Sequence, residues 1–288
     1  MKIKKLAKLA VCLTAVGALL AGCGANKAAD EGKNGTEEFR IGMLTHLNAS
    51  EQKINEILKK VDVVPGSRAK LSHNYIYYDK LTSMQMGLDS GSIQEMSLYA
   101  SVAKYLTDRN DKIAVVDYEN GMKLSDSFCC AIRKDDTALK QELDKAIEGM
   151  KSDGTLDKLV KTYITDLKKD EEPPSVPMAK IDGAPTIKIA VTGDLPPFDL
   201  VLANGKAAGF NTAVLSELGK RTGKNVEIIY IDSAARASAL SSKKVDVVFW
   251  ATIPFGNSSI PRDVDKPDGM ELTIPYFSDK IVHVEKKK

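Results

Sequence analysis

From Phe39 onward the apolar positions alternate between short strand-like runs and runs at helical spacing. Phe39 to Leu44 reads as a strand. Ser50 to Val61 places Ile54, Ile57, Leu58 and Val61 on one helical face, with Ser50 as the N-cap. Tyr75 to Tyr78 reads as a short strand and Leu81 to Leu88 as a helix, closed by the turn Asp89-Ser90-Gly91-Ser92. Ile93 to Leu98 is a strand, and Ser101 to Leu106 begins another helix. Ile113 to Asp117 and Ser127 to Ile132 are strands. Leu139 to Met150 and Leu156 to Ile164 form amphipathic helices separated by Asp153-Gly154.

The alternation then stops. Lys168 to Glu172 is charged, and Pro173-Pro174-Ser175-Val176-Pro177 cannot continue a helix, so residues 168–186 read as a linker. Beyond it, Ile187 to Val191 is a strand, Thr212 to Arg221 a helix closed by Gly223, and Val226 to Ile231 a strand. Ala234 to Leu240 is a helix and Val245 to Trp250 a strand. Met270 to Thr273 and Lys280 to Val284 are further strand pieces. The halves echo each other. Asp79 precedes a helix and then the strand at Ile93, and Asp232 precedes a helix and then the strand at Val245. This predicts two α/β lobes, residues 39–167 and 187–288. Parallel-rich sheets flanked by helices would leave a cleft off the strand carboxyl ends.

The first 38 residues follow neither pattern. Lys2, Lys4, Lys5 and Lys8 precede the apolar run Leu9 to Leu20, which is too short to span a bilayer and reads as an export signal. Leu20-Ala21-Gly22-Cys23 resembles the lipobox of bacterial lipoproteins, in which the cysteine becomes the lipidated N-terminus; the alternative is an ordinary signal with an incidental cysteine. Residues 24–38 are polar and Gly/Ala-rich and read as a flexible tether.

The formal charge of +2 includes the four signal lysines, and without them the chain stands near −2. That balance gives no support to a nucleic-acid partner. Cys129 and Cys130 are neighbours in one strand and point to opposite faces, which argues against a bridge. The three histidines are scattered, with no Cys-x-x-Cys or His-Glu-x-x-His pattern, so neither a metal nor a cofactor is expected.

Several segments together resemble the ABC-importer solute-binding proteins of the polar amino acid family, with the type 2 periplasmic binding fold. Gly193-Asp194-Leu195-Pro196-Pro197-Phe198, Asn204-Gly205, Gly209-Phe210-Asn211, Lys243 to Val248 and Pro275-Tyr276-Phe277-Ser278 follow the order of the family's first lobe. Gly91-Ser92-Ile93 through Leu106, and Ala131 to Asp136 leading to Lys151 to Lys158, resemble its second lobe. The second-lobe pattern comes first, so the lobe order reads as permuted. A domain-swapped dimer is the alternative.

The resemblance implies a lipid-anchored receptor on the outer face of the cytoplasmic membrane, or in the periplasm. It would bind a small molecule, pass it to the transmembrane subunits of an ABC permease, and catalyse no reaction. An enzyme on the same fold, such as a small-acid dehydratase, and a ligand-sensing module for a membrane partner are the alternatives.

The family's ligand contacts are altered here. The arginine expected shortly after Thr252 is missing, with none before Arg262, which reads as a solvated loop residue. The amine-binding aspartate falls on Tyr99, and two further acids fall on Asn211 and Ala213. An ordinary α-amino acid would lose the partner of its ammonium. The candidate ligand residues are Thr45, His46, Tyr99, Asp194, Phe198, Asn211, Arg236, Trp250 and Thr252. For Phe198 the alternative is core packing, for Arg236 a surface position, and for His46 a solvated loop.

Overall fold

A computed structural model describes residues 39–47, 51–61, 73–116, 124–255 and 260–287. Signal, tether, Cys23 and the Ser50 cap lie outside the described residues.

The first stretch runs β1 (Phe39–Leu44), α1 (Glu51–Val61), β2 (His73–Tyr78), α2 (Leu81–Ser90), β3 (Glu95–Tyr99), α3 (Ala100–Arg109) and β4 (Ile113–Val115). It continues with β5 (Ser125–Arg133), α4 (Thr137–Ser152) and α5 (Thr155–Val160), whose end is a π-helical turn, Lys161–Thr165. The second stretch runs β6 (Thr186–Val191), β7 (Asp194–Leu195), β8 (Asp199–Val201), β9 (Ala207–Ala208), α6 (Phe210–Thr222) and β10 (Asn225–Tyr230). After a 3-10 turn at Ser233–Ala235 come α7 (Arg236–Ser241), β11 (Val247–Phe255), β12 (Met270–Leu272) and β13 (Phe277–Lys286).

The strands form two wings joined through one strand. In the first wing β1 pairs in parallel with β2 and with β3. In the second, β6 pairs in parallel with β10 and with β11. Antiparallel pairing enters where the wings meet. β5 pairs with β11, and β13 runs through both wings: Phe277–Lys280 pair with β5 and Ile281–Glu285 with β3. The sheet is therefore continuous through β13. This is the two-lobed α/β arrangement expected from the alternation, with a continuous strand where two separate sheets were expected.

Helices cover the wings because their apolar residues fall on one face. Leu81, Met84 and Leu88 of α2 are buried, as are Leu139, Leu143, Ile147 and Met150 of α4. α4 stops at Asp153-Gly154, where Gly154 takes φ 73°, a left-handed geometry suited to a residue without Cβ. The predicted helix to Ile164 becomes α5 and the π turn, closed by Asp166 N donating to Lys161 O at 2.8 Å. Central β5 is buried on both faces from Asp126 to Ile132, so its apolar run lacks the alternation of a half-exposed strand.

Beneath the junction lies an aromatic block. Phe128 meets Phe198 edge-on at 5.2 Å, Phe210 meets Phe277 at 4.9 Å, and Phe249 stacks on Tyr276 at 4.7 Å. Burying each such ring contributes about 1.5–3 kcal/mol. Cys129 and Cys130 are buried free thiols, and burial pushes Cys129 up to about 12, which keeps it protonated. The three short strands β7, β8 and β9 form a small separate sheet that periodicity missed, since runs of two or three residues carry no period.

Candidate functional site

A cavity of about 60 Å³ lies between the wings. The first wing supplies Leu44, Thr45 and His46 from the end of β1, Leu98 and Tyr99 from the end of β3, and Ile281 from β13. The second supplies Asp126, Leu195, Arg236, Trp250 and Asp265. The residues from β1 and β3 sit at strand carboxyl ends, where α/β sheets leave room for ligands.

Trp250 is aimed by a break in pairing. β11 keeps register with β5 at Phe249↔Cys130 and resumes at Ala251↔Cys129, so Trp250 has no partner across the ladder. Such a bulge turns one side chain out of the alternation. Its indole meets Tyr99 edge-on at 5.9 Å, and the Arg236 guanidinium lies 5.0 Å from its ring centre. Tyr99 also packs edge-on against Phe128 at 4.7 Å.

Polar groups are arranged around this aromatic wall. Tyr99 OH donates to Asp126 Oδ2 at 3.0 Å. Burial pushes the Asp126 carboxyl up, while the Tyr99 hydrogen bond and His46 pull against that. Burial, and then the Asp126 charge, raises the Tyr99 phenol well above its ordinary value, so Tyr99 acts as a donor.

Asp265 accepts from Leu47 N at 2.6 Å, Thr252 N at 3.1 Å and Thr252 Oγ1 at 3.2 Å, and lies 3.9 Å from His46 Nδ1. Arg236 is 1% exposed. Its Nη1 donates to Trp250 O at 2.9 Å and more weakly to Phe249 O at 3.5 Å. Burial lowers its pKa, but a guanidinium stays charged.

Direct contacts hold the wings together around the cavity. Besides Leu47–Asp265 and Tyr99–Asp126, Leu81 N donates to Asp194 Oδ2 at 2.9 Å, and Lys80 Nζ lies 3.2 Å from Asp232 Oδ1. The Asp232 and Lys80 loops are those that echo each other in sequence.

Of the nine candidate residues, Thr45, His46, Tyr99, Arg236 and Trp250 line the cavity. The other four lie outside its lining. Asp194 receives Leu81 N, and Thr252 holds Asp265. Phe198 is fully buried in the aromatic block. Asn211 is fully buried too: its Nδ2 donates to Asp199 Oδ2 at 3.0 Å, and its Oδ1 accepts from Tyr276 OH at 3.2 Å.

Arg236 is the opposite of a surface residue, since its side chain turns inward under β11. Asp126 and Asp265 escaped the sequence reading. Asp126 falls just before the run Ser127 to Ile132 that reads as a strand, and Asp265 in a Pro- and Asp-rich loop that reads as solvated. Among the described residues no group of His, Cys, Asp and Glu forms a metal site, and no helix is long and apolar enough to cross a membrane.

Two wings of parallel-centred α/β structure closing on a lined cavity define a two-lobed binding fold of the type 2 periplasmic class. The sequence profile of the bacterial extracellular solute-binding proteins, family 3, matches residues 40–166 and 187–254, more than half of the chain. The chain belongs to that family. The matched segments flank the stretch read as a linker.

Among solved structures, the chain is similar to an ABC transporter periplasmic substrate-binding protein from Coxiella burnetii at 13% identity, covering 86% of this chain and 84% of that one, with a TM-score of 0.39. It is similar to a nutrient binding protein from Burkholderia cenocepacia bound to methionine, at 11% identity, 86% and 84% coverage and a TM-score of 0.39. It is also similar to the periplasmic aliphatic sulphonate binding protein SsuA of Escherichia coli, at 11% identity, 87% and 62% coverage and a TM-score of 0.38. No curated protein matches the sequence.

Proposed function

We propose that this protein is a lipid-anchored extracytoplasmic receptor that binds a small solute between its wings and delivers it to an ABC importer. Cys23 is the lipid site, residues 24–38 are the tether, and the lobe order is permuted about the linker 168–186, with β5 pairing into the second wing. It acts by binding and not by catalysis. The observation that carries this reading is the cavity bounded by both wings, with β13 continuous from one to the other. A ligand touching both sides favours the closed arrangement, and a permease reads that state. Hinge closure of this kind is general among periplasmic binding proteins.

The test is a thermal-shift screen of the full chain against amino acids, sugars, nucleosides and small carboxylates. A rise in Tm with one class, lost in Trp250→Ala, supports the reading, because ligand that binds only the folded state stabilises by mass action. No shift with any class counts against it. Lipid at Cys23 is tested separately. Radiolabelled palmitate should enter the wild type and not Cys23→Ser, and labelling of both removes the anchor.

A further inference from the structure

The cavity wall holds a buried cation whose hydrogen-bonding edge lacks acceptors among the described residues. Arg236 spends Nη1 on the carbonyls of Trp250 and Phe249. Its Nε is buried with no acceptor, and among the described residues none reaches Nη2 either. Nε and Nη2 form the side-on edge of a guanidinium, spaced to grip both oxygens of a carboxylate. The nearby indole Nε1 of Trp250 is likewise buried without an acceptor.

A buried charge without a partner is costly, and native structures pair such groups or use them. Among the described residues no carboxylate fills this place. Asp265 acts most strongly on Arg236 electrostatically, yet its oxygens are engaged by the Leu47 and Thr252 amides and the Thr252 hydroxyl. Asp126 is engaged by Tyr99.

We infer that the cavity takes a small carboxylate lacking an α-ammonium, its acid group docked side-on to Arg236 Nε and Nη2. This assignment rests on the receptor reading and names its ligand class. The remaining wall suits a short apolar body, since Leu44, Leu98, Leu195, Ile281 and the Tyr99 and Trp250 rings make up most of it. The cavity of about 60 Å³ is small. A ligand of more than a few heavy atoms therefore requires the wings to part slightly. Among the described residues of the lining, an ammonium finds no uncommitted anion. Asp126 already holds the Tyr99 hydroxyl, and burial favours its protonated form.

The experiment is calorimetric titration of the full chain with propionate, propionamide and alanine in a chloride-free buffer, then with chloride. Propionamide removes the charge and alanine adds the ammonium, with little change in size. The expected result is binding of propionate at least about tenfold tighter than either analogue, since charge-assisted bonds carry that much discrimination. Arg236→Met should weaken propionate by about 10- to 100-fold. Its unliganded Tm should fall only modestly, because the apolar side chain removes a buried charge but leaves the Trp250 and Phe249 carbonyls without their donor. Arg236→Lys should recover part of the binding.

Equal binding of propionate and propionamide, tighter alanine, equivalent binding of chloride, or undiminished binding in Arg236→Met overturns the assignment. A sugar or nucleoside that binds wild type and Arg236→Met alike overturns it and leaves the receptor reading standing. Silence toward every probe overturns both.

Discussion

The Leu81 amide donates to Asp194 Oδ2 at 2.9 Å, fastening the start of α2 in the first wing to β7 in the second. Burial, and then the neighbouring Asp199, push the Asp194 carboxyl from 3.8 up to about 6, against the pull of the Leu81 and Thr82 amides and of Lys80. A carboxyl with a raised folded-state pKa binds more protons folded than unfolded between the two values. Its contribution is therefore full below about pH 4 and is lost as pH rises to about 6.

Asp194→Asn keeps the shape and the oxygen acceptor but cannot titrate. The wild-type Tm, relative to that of Asp194→Asn, should fall across pH 4 to 6. Parallel profiles for the two proteins would remove Asp194 from the pH dependence.

Asp265 joins the wings at a second point, because Leu47 belongs to the first wing and Thr252 to the second. Asp265→Ala strands three donors in a buried site. At roughly 1–3 kcal/mol for each unsatisfied group, the loss should be about 3 kcal/mol or more in urea unfolding. Thr252→Val removes one of those bonds and should cost about 1 kcal/mol. Equal losses for the two variants would mean that Asp265 does not connect the wings.

The fold was legible because its signals are long and periodic. α4 shows its buried face at Leu139, Leu143, Ile147 and Met150, and Gly154 marks its end. What stayed hidden depends on contacts distant in sequence. Nothing near Asp265 announces that Leu47 will donate to it, and nothing near Asp126 announces Tyr99. Arg236 reads equally as buried or exposed until the course of β11 above it is known. Thr45, His46 and Tyr99 lie in the lining because strand carboxyl ends can be located from sequence, whereas Arg236 opens a helix and Trp250 sits within β11. Phe198 and Asn211 carry family motifs, but their local role is to build the aromatic block and hold Asp199.

Asn211 stands where the resemblance expects an acid, and its surroundings show why an amide suits this chain. Asp199 is fully inside and accepts from Thr192 Oγ1, Gly193 N and Asn211 Nδ2. Asn211→Asp would replace a donor 3.0 Å from Asp199 Oδ2 with a second carboxylate. Two such groups cannot both ionise at that distance, so one must hold a proton when folded. The variant should lose about 2–3 kcal/mol at pH 7, with the loss shrinking as pH falls through the carboxyl range. A loss independent of pH would point to packing instead.

Trp250 is the chain's single tryptophan, it is 6% exposed, and it lines the cavity, so its fluorescence reports on the site alone. With the wings held together, a quencher such as acrylamide reaches the indole only when they part. The contacts on one side are Leu81 N to Asp194 and Lys80 to Asp232. The ion pair is exposed and contributes at most about 1 kcal/mol, whereas the part-buried carboxylate–amide bond is worth about 1.5–3 kcal/mol. Asp194→Ala should therefore raise the quenching constant several-fold, and Lys80→Ala should change it little. Near-UV circular dichroism should stay close to that of the wild type in both, because the aromatic block beneath the cavity is untouched. Identical quenching in Asp194→Ala and the wild type would mean that this contact does not hold the wings together in solution.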